Sequence, residues 1–294
     1  MESITQCNKL FAEKTLHPLA SVIDLSAPCN QMQVCPDSYC VVVMEDGEGR
    51  GGACDSIDYG LRSCDFTAGT LLFNTPTKVV DIRHGEKCSC KGHILLFHPS
   101  LLVGTSLGRS IGSYTFFKYR KDEALHVSAA ELRDINRVLT DIVNELRRGI
   151  DEYSATILSN NIELLLNYCV RFYHRQFIMR HDAEPAEFRR FAEIVDSYLT
   201  SGRVRRTGMP CGACRFTSQM DMSAAYLADL VRNETGKSVA DYAQLRRVEL
   251  AKKLIIAGKD SDAKVSLTLG YANVAEFRDI FKKLTGLTTD EYRA

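Results

Sequence analysis

The sequence predicts an α+β protein of two domains, with strands in the N-terminal half and helices alone in the C-terminal half. Three observations carry that expectation. Short apolar or β-branched runs separated by turn signals fill residues 38–118, apolar residues recur at three and four between 132 and 199, and one stretch near the C-terminus is written twice.

Taken in order, residues 1–20 show no clear period, although Phe11, Leu16, Leu19 and Val22 lead toward a first strand. Strand-like runs follow at 39–44, 70–73, 78–82, 93–97 and 113–119, set apart by glycine-rich turns at 45–52 and Ala68-Gly69. Several short strands of this kind favour a small barrel or sandwich. Two long helices come next. Ser128 and Glu131 form a capping box, and Leu132, Ile135, Val138, Leu139, Ile142, Val143 and Leu146 make one face that ends near Gly149. Ile157, Leu158, Ile162, Leu165, Leu166, Cys169, Phe172, Tyr173 and Phe177 make a second. These stripes are wide enough to pack on two sides, so they serve either self-association or docking onto the barrel. A break at 181–187 precedes a helix through Phe188, Phe191, Ile194, Val195, Tyr198 and Leu199. The glycine-, arginine- and proline-rich residues 200–212 mark the expected domain boundary.

The repeat pairs residues 223–242 with 273–292, fifty residues on. Ala225/Ala275, Asp229/Asp279, Thr235/Thr285, Gly236/Gly286 and Tyr242/Tyr292 are identical, and Leu227/Phe277, Leu230/Ile280, Val231/Phe281 and Arg232/Lys282 keep their chemistry. Each copy opens on a capping residue, Ser223 or Asn273, and stops on a glycine suited to a left-handed C-cap. A short helical segment and a turn precede each, at 216–221 and 263–270, so the reading is helix, turn, helix, twice. Between the copies, Ser238 and Asp241 start a helix that runs through Val239, Tyr242, Leu245, Val248, Ala251 and Leu254 to Gly258.

At Leu269-Gly270-Tyr271, Phe277, Phe281-Lys282-Lys283, Thr285-Gly286 and Glu291-Tyr292-Arg293 the sequence resembles the DNA-binding domain of AraC-type transcription regulators. The first copy agrees through Ser223, Tyr226-Leu227, Leu230, Glu234-Thr235-Gly236 and Arg247-x3-Ala251-x2-Leu254. The N-terminal half resembles the cupin-like barrel of some of these regulators, through Asp65-Phe66-x2-Gly69-Thr70-Leu71, Thr75-Pro76 and Leu95-Leu96-Phe97-His98-Pro99-x-Leu101-Leu102. The resemblance implies a sensory barrel over 1–125 with a small-molecule effector, a helical dimerisation segment over 126–200, and a DNA-binding domain over 201–294. It also implies double-stranded DNA, RNA polymerase and a second copy of the chain as partners.

With Leu227, Leu230, Val231, Phe277, Ile280 and Phe281 assigned to the helix-turn-helix core, the base-reading candidates are Ala225, Ala228, Asp229, Val274, Ala275, Arg278 and Asp279. Arg278 is the natural guanine reader among them. Arg232, Lys237, Arg246, Lys282 and Lys283 are candidate phosphate contacts. Asp262 stands where the family usually has an apolar residue and Thr288-Thr289 where proline commonly follows, two departures expected to weaken the second unit. The resulting alternative to a regulator is a ligand-, thiol- or metal-responsive scaffold that binds DNA weakly.

Charge distribution supports a polyanion-binding C-terminus. Residues 201–294 carry 16 Lys and Arg against 11 Asp and Glu, while the rest carry 21 against 26. At 45% hydrophobic and 25% charged residues, composition excludes a disordered chain. No apolar run reaches the ~20 residues of a membrane span, and the start MESITQCNKL lacks signal architecture, so the expected location is cytoplasmic and the 11 cysteines are expected reduced. His84, Cys88, Cys90 and His93 are soft ligands close in sequence, but Cys-x-Cys is tighter than the spacing of structural zinc sites. Cys211-x2-Cys214 lacks both a second pair and the βαβ surroundings of a redox motif. No nucleophile triad, phosphate loop or helix-borne zinc motif is present, so neither an enzyme nor a cofactor is expected.

Overall fold

The computed structural model describes residues 4–26, 32–34, 37–45, 65–76, 80–82, 91–183, 186–209, 212–258 and 260–293. The chain divides into two compact units, Met1–Ala183 and Glu184–Ala294.

The first unit opens with α1 (Ile4–Leu10), which the sequence reading missed although Ile4, Cys7 and Phe11 bury themselves at helical spacing. Strands β1 (Ala20–Asp24), β2 (Met32–Val34), β3 (Tyr39–Glu45), β4 (Gly69–Asn74), β5 (Val80–Ile82) and β6 (Lys91–Phe97) follow. After α2 (Ser106–Ser110) comes β7 (Leu125–Val127). The main sheet is antiparallel in the order β1-β6-β3-β4-β7, with Val42 opposite both Leu72 and Ile94, and β2 pairs with β5 separately. Among the described residues β1 and β7 are the edges of the main sheet, so closure into a barrel is not part of the observed pairing.

The strand expected at 113–119 is instead a pair of 3-10 turns, Ile111–Ser113 and Thr115–Lys118. Its apolar run reflects burial without ladder pairing. Phe116 lies 4.4 Å from Phe73 and 5.5 Å from Tyr173, ring centre to ring centre, in an aromatic cluster beside the sheet.

The expected long helices are α3 (Ala129–Arg148), capped by the Ser128/Glu131 box, and α4 (Ser154–Ala183). They carry Ile135, Val138, Leu139 and Ile142, and Leu158, Ile162, Leu165 and Leu166, into the interior of this unit. The motif around Asp65 and Gly69 has a structural explanation. Asp65 receives Arg180 Nε at 3.0 Å and Nη2 at 2.6 Å, anchoring α4, while a Cβ on Gly69 would stand 3.0 Å from the Met44 carbonyl and 3.1 Å from Leu132. Gln176 closes the same region, accepting from His126 N and donating to the Ala124 carbonyl.

The second unit is helical: α5 (Ala186–Thr200), α6 (Arg203–Thr207), α7 (Thr217–Met220), α8 (Ala224–Thr235), α9 (Val239–Ile256), α10 (Asp262–Thr268), α11 (Val274–Thr285) and α12 (Thr289–Arg293). The division after Ala183 differs from the expected boundary at 200–212, because α5 belongs to the core of this unit. Phe191 meets Phe216 and Tyr242 at 5.6 Å each, and Tyr198 meets Phe216 at 5.7 Å. Among the described residues no helix is long and apolar enough to cross a membrane.

Candidate nucleic-acid interface

The two copies of the repeat fold by the same local rules. Ser223 Oγ accepts from Tyr226 N at 3.1 Å to start α8, and Asn273 Oδ1 accepts from Glu276 N at 2.8 Å to start α11. Gly236 (φ 68°) and Gly286 (φ 79°) end them in the left-handed region, their amides donating at 2.8 Å to the carbonyls of Arg232 and Lys282. The helices that follow are also capped alike, with Ser238 accepting from Asp241 N and Thr288 from Glu291 N.

The turns differ. Asp221 makes the left-handed corner of the first unit (φ 54°) and Gly270 that of the second (φ 71°). At Gly270 a side chain is excluded twice over, since an added Cβ would lie 2.8 Å from Val204 on α6 in a conformation side chains disfavour.

The second unit is held by charge as well as by its apolar cluster. Arg247 of α9 is 2% exposed, donates from Nε to the Leu269 carbonyl at 2.9 Å, and lies 3.4 Å over the Tyr271 ring. Burial lowers the basicity of Arg247 and pushes the Tyr271 phenol up to about 12. Asp262, 6% exposed, opens α10. Its Oδ2 accepts from Arg278 Nε and Thr289 Oγ1, and its Oδ1 from Arg293 Nη2, each at 2.7 Å. Burial alone would raise this carboxyl, but the bonds from Arg278 and Thr289 and the nearby arginine charges outweigh it and hold it below the usual carboxylate range. The two departures expected to weaken this unit therefore satisfy one another: the buried Thr289 hydroxyl donates to the buried Asp262 carboxylate.

Residues 216–294 match the family profile described as "Helix-turn-helix domain". The second unit contains a helix-turn-helix domain. Solved structures to which the chain is similar include the C-terminal domain of AraT, a response regulator from Geobacillus stearothermophilus, at 19% identity over 37% of this chain and 84% of that one (TM-score 0.31). ToxT from Vibrio cholerae is 14% identical over 94% of this chain and 98% of that one (TM-score 0.32). A Listeria innocua protein is 31% identical over 29% and 80% (TM-score 0.25). No curated protein matches the chain.

In the helix-turn-helix domain Leu227, Leu230, Val231, Phe277 and Phe281 are buried and Ile280 half-buried against the second core. Of the base-reading candidates, Ala275, Arg278 and Asp279 are exposed, and Ala225, Ala228, Asp229 and Val274 half-exposed. Asp229 also lies 3.9 Å from Arg232 on its own helix. Arg232, Lys237, Lys282 and Lys283 are exposed, as phosphate contacts require. Arg246 is engaged elsewhere: its Nε donates to Asp196 on α5 at 2.9 Å and its Nη2 to the other oxygen, an ion pair that raises its basicity further. Sequence reasoning missed Asp196 and named Arg247 and Arg293 only as residues of the resemblance without their partners, because a pairing between helices far apart in sequence has no local period. His84, Cys88, Cys90 and Cys211 lie outside the described residues, and among those described no group of His, Cys, Asp and Glu could hold a metal.

Proposed function

We propose that the chain is a sequence-specific DNA-binding transcription regulator of the AraC type, acting as a cytoplasmic homodimer that engages RNA polymerase and is controlled by a small-molecule effector at the N-terminal unit. The observation that carries the reading is the pair of equivalently capped helices, α8 and α11, joined through one continuous helix. At ~1.5 Å per residue the 18 residues of α9 span ~27 Å. With its flanking turns that length suits two major-groove segments one helical turn apart on the same face of the duplex. Small outward residues on α8 favour thymine-methyl contacts and readout of DNA shape, and Arg278 on α11 supplies a direct guanine contact.

The weak-binding scaffold is favoured by one observation, the loss of Arg246 to Asp196 as a free phosphate contact. Selection of sites from a random duplex pool by the full chain, followed by a salt titration on a selected and a scrambled site, decides between the two. A regulator enriches a defined motif and keeps a large affinity ratio as salt rises; a scaffold enriches none.

A further inference from the structure

The outward face of α11 carries an arginine that is already held in place before any partner arrives. Arg278 has 56% of its side chain exposed, yet its Nε is bound at 2.7 Å by a carboxylate that is itself 6% exposed. A guanidinium gripped at Nε has lost most of its freedom while the edge formed by its two Nη groups stays available. That edge is the one that pairs with the O6 and N7 acceptors of guanine. Asp262 is in turn fixed by Thr289 and Arg293, so it does not follow the arginine outward. The first helix-turn-helix lacks the arginine of this device: Ala228 occupies the position of Arg278 in the repeat.

We propose that Asp262 is a positioning residue for base recognition, which presents Arg278 to one guanine in the major groove and so makes the second helix-turn-helix the sequence-reading unit. This rests on the DNA-reading function proposed above. Because the side chain is ordered in folding, its ordering does not have to be met again in binding, and a wrong base meets a rigid donor pair that cannot turn aside. Asp262 touches no base. Its effect is on the choice between base pairs, whereas a purely structural role would lower affinity for every duplex alike.

The test uses the full chain and duplexes that differ from the selected site at one base pair, read by fluorescence anisotropy, with thermal melting as a check of folding. Wild type is expected to prefer one G·C pair by on the order of ten- to a hundred-fold. Arg278→Ala removes that preference. Asp262→Asn lowers it several-fold at the same pair and at no other, with affinity for random duplex and the salt slope unchanged. Equal weakening on all duplexes, or an intact preference in Asp262→Asn, overturns the proposal. Where Asp262→Asn does not fold, the Arg278 Nε–H resonance of the wild-type protein, assigned by its absence in Arg278→Lys, decides instead. A signal protected from exchange both free and on DNA supports the proposal, and one lost on binding overturns it. A wild type with no preferred site defeats the DNA-reading function itself, whereas a preferred site untouched by Arg278→Ala defeats only this inference.

Discussion

The two helix-turn-helix units share their backbone and differ in what holds it. In the first, the small outward residues Ala225 and Ala228 sit on a helix whose core is apolar, with Leu227, Leu230 and Val231 buried and Phe216 meeting Phe191 and Tyr198 of α5 edge to face. In the second, Phe277 and Phe281 are joined by a buried arginine and a buried aspartate that tie α9, α10, α11 and α12 together. Caps and left-handed glycines set the path of the chain and are copied by the repeat. The locking of that path against its neighbours is not copied, and in the second unit the lock reaches the outward face.

The difference sharpens most where core is removed. Phe277→Ala, in a fully buried ring contact with Tyr271 and Phe281, is expected to cost about 3–5 kcal/mol in chemical denaturation. Leu227→Ala in the first unit spans a lower range of about 2–5 kcal/mol, and equal losses would make the two cores equivalent. Arg247→Ala leaves the Leu269 carbonyl without its donor and the Tyr271 face uncovered, so a loss of about 1–3 kcal/mol is expected by the same measurement. An unchanged midpoint would show that the stack adds nothing.

Acid separates the units further. Asp262 is held below its unfolded value, so its contribution is present above about pH 4 and disappears as pH falls through the lower folded value. The stability gap between wild type and Asp262→Asn is therefore expected to be constant near neutrality and to close in acid. A gap independent of pH would mean that the carboxylate charge is not what Asp262 supplies. The smallest effect is at the first corner. Asp221→Gly is expected to be neutral or stabilising by less than about 1 kcal/mol, while Gly270→Asp is destabilising because of φ and of Val204. A penalty at both positions would point to a specific role for the Asp221 side chain.

Much of this architecture was legible in the sequence. The caps at Ser128, Ser223, Ser238 and Asn273 and the stops at Gly149, Gly236 and Gly286 are local signals, and each stands where its residue type predicts. Two readings failed for one reason. Phe116, Phe117 and Tyr119 look like a strand, and α5, read as a helix on the N-terminal side of the boundary, belongs to the C-terminal unit, because burial leaves the same apolar signature whether the partner is a ladder, an aromatic cluster or a neighbouring helix. The outward face was read correctly as exposed at Arg278, but its tether was illegible. Asp262 and Thr289 are 27 residues apart, and each taken singly is an unfavourable residue in a buried place.

The central claim is that the two units read one duplex together, at a spacing set by α9. Hydroxyl-radical footprinting of the full chain on its selected site tests it most directly. Two short protected blocks are expected, ~10 bp between centres and on one face, for each copy of the chain. Both should be lost together when Arg247→Pro breaks α9, at ~3 kcal/mol or more for an interior proline. Protection of a single block by the intact protein, or two blocks that survive the proline, would contradict the account.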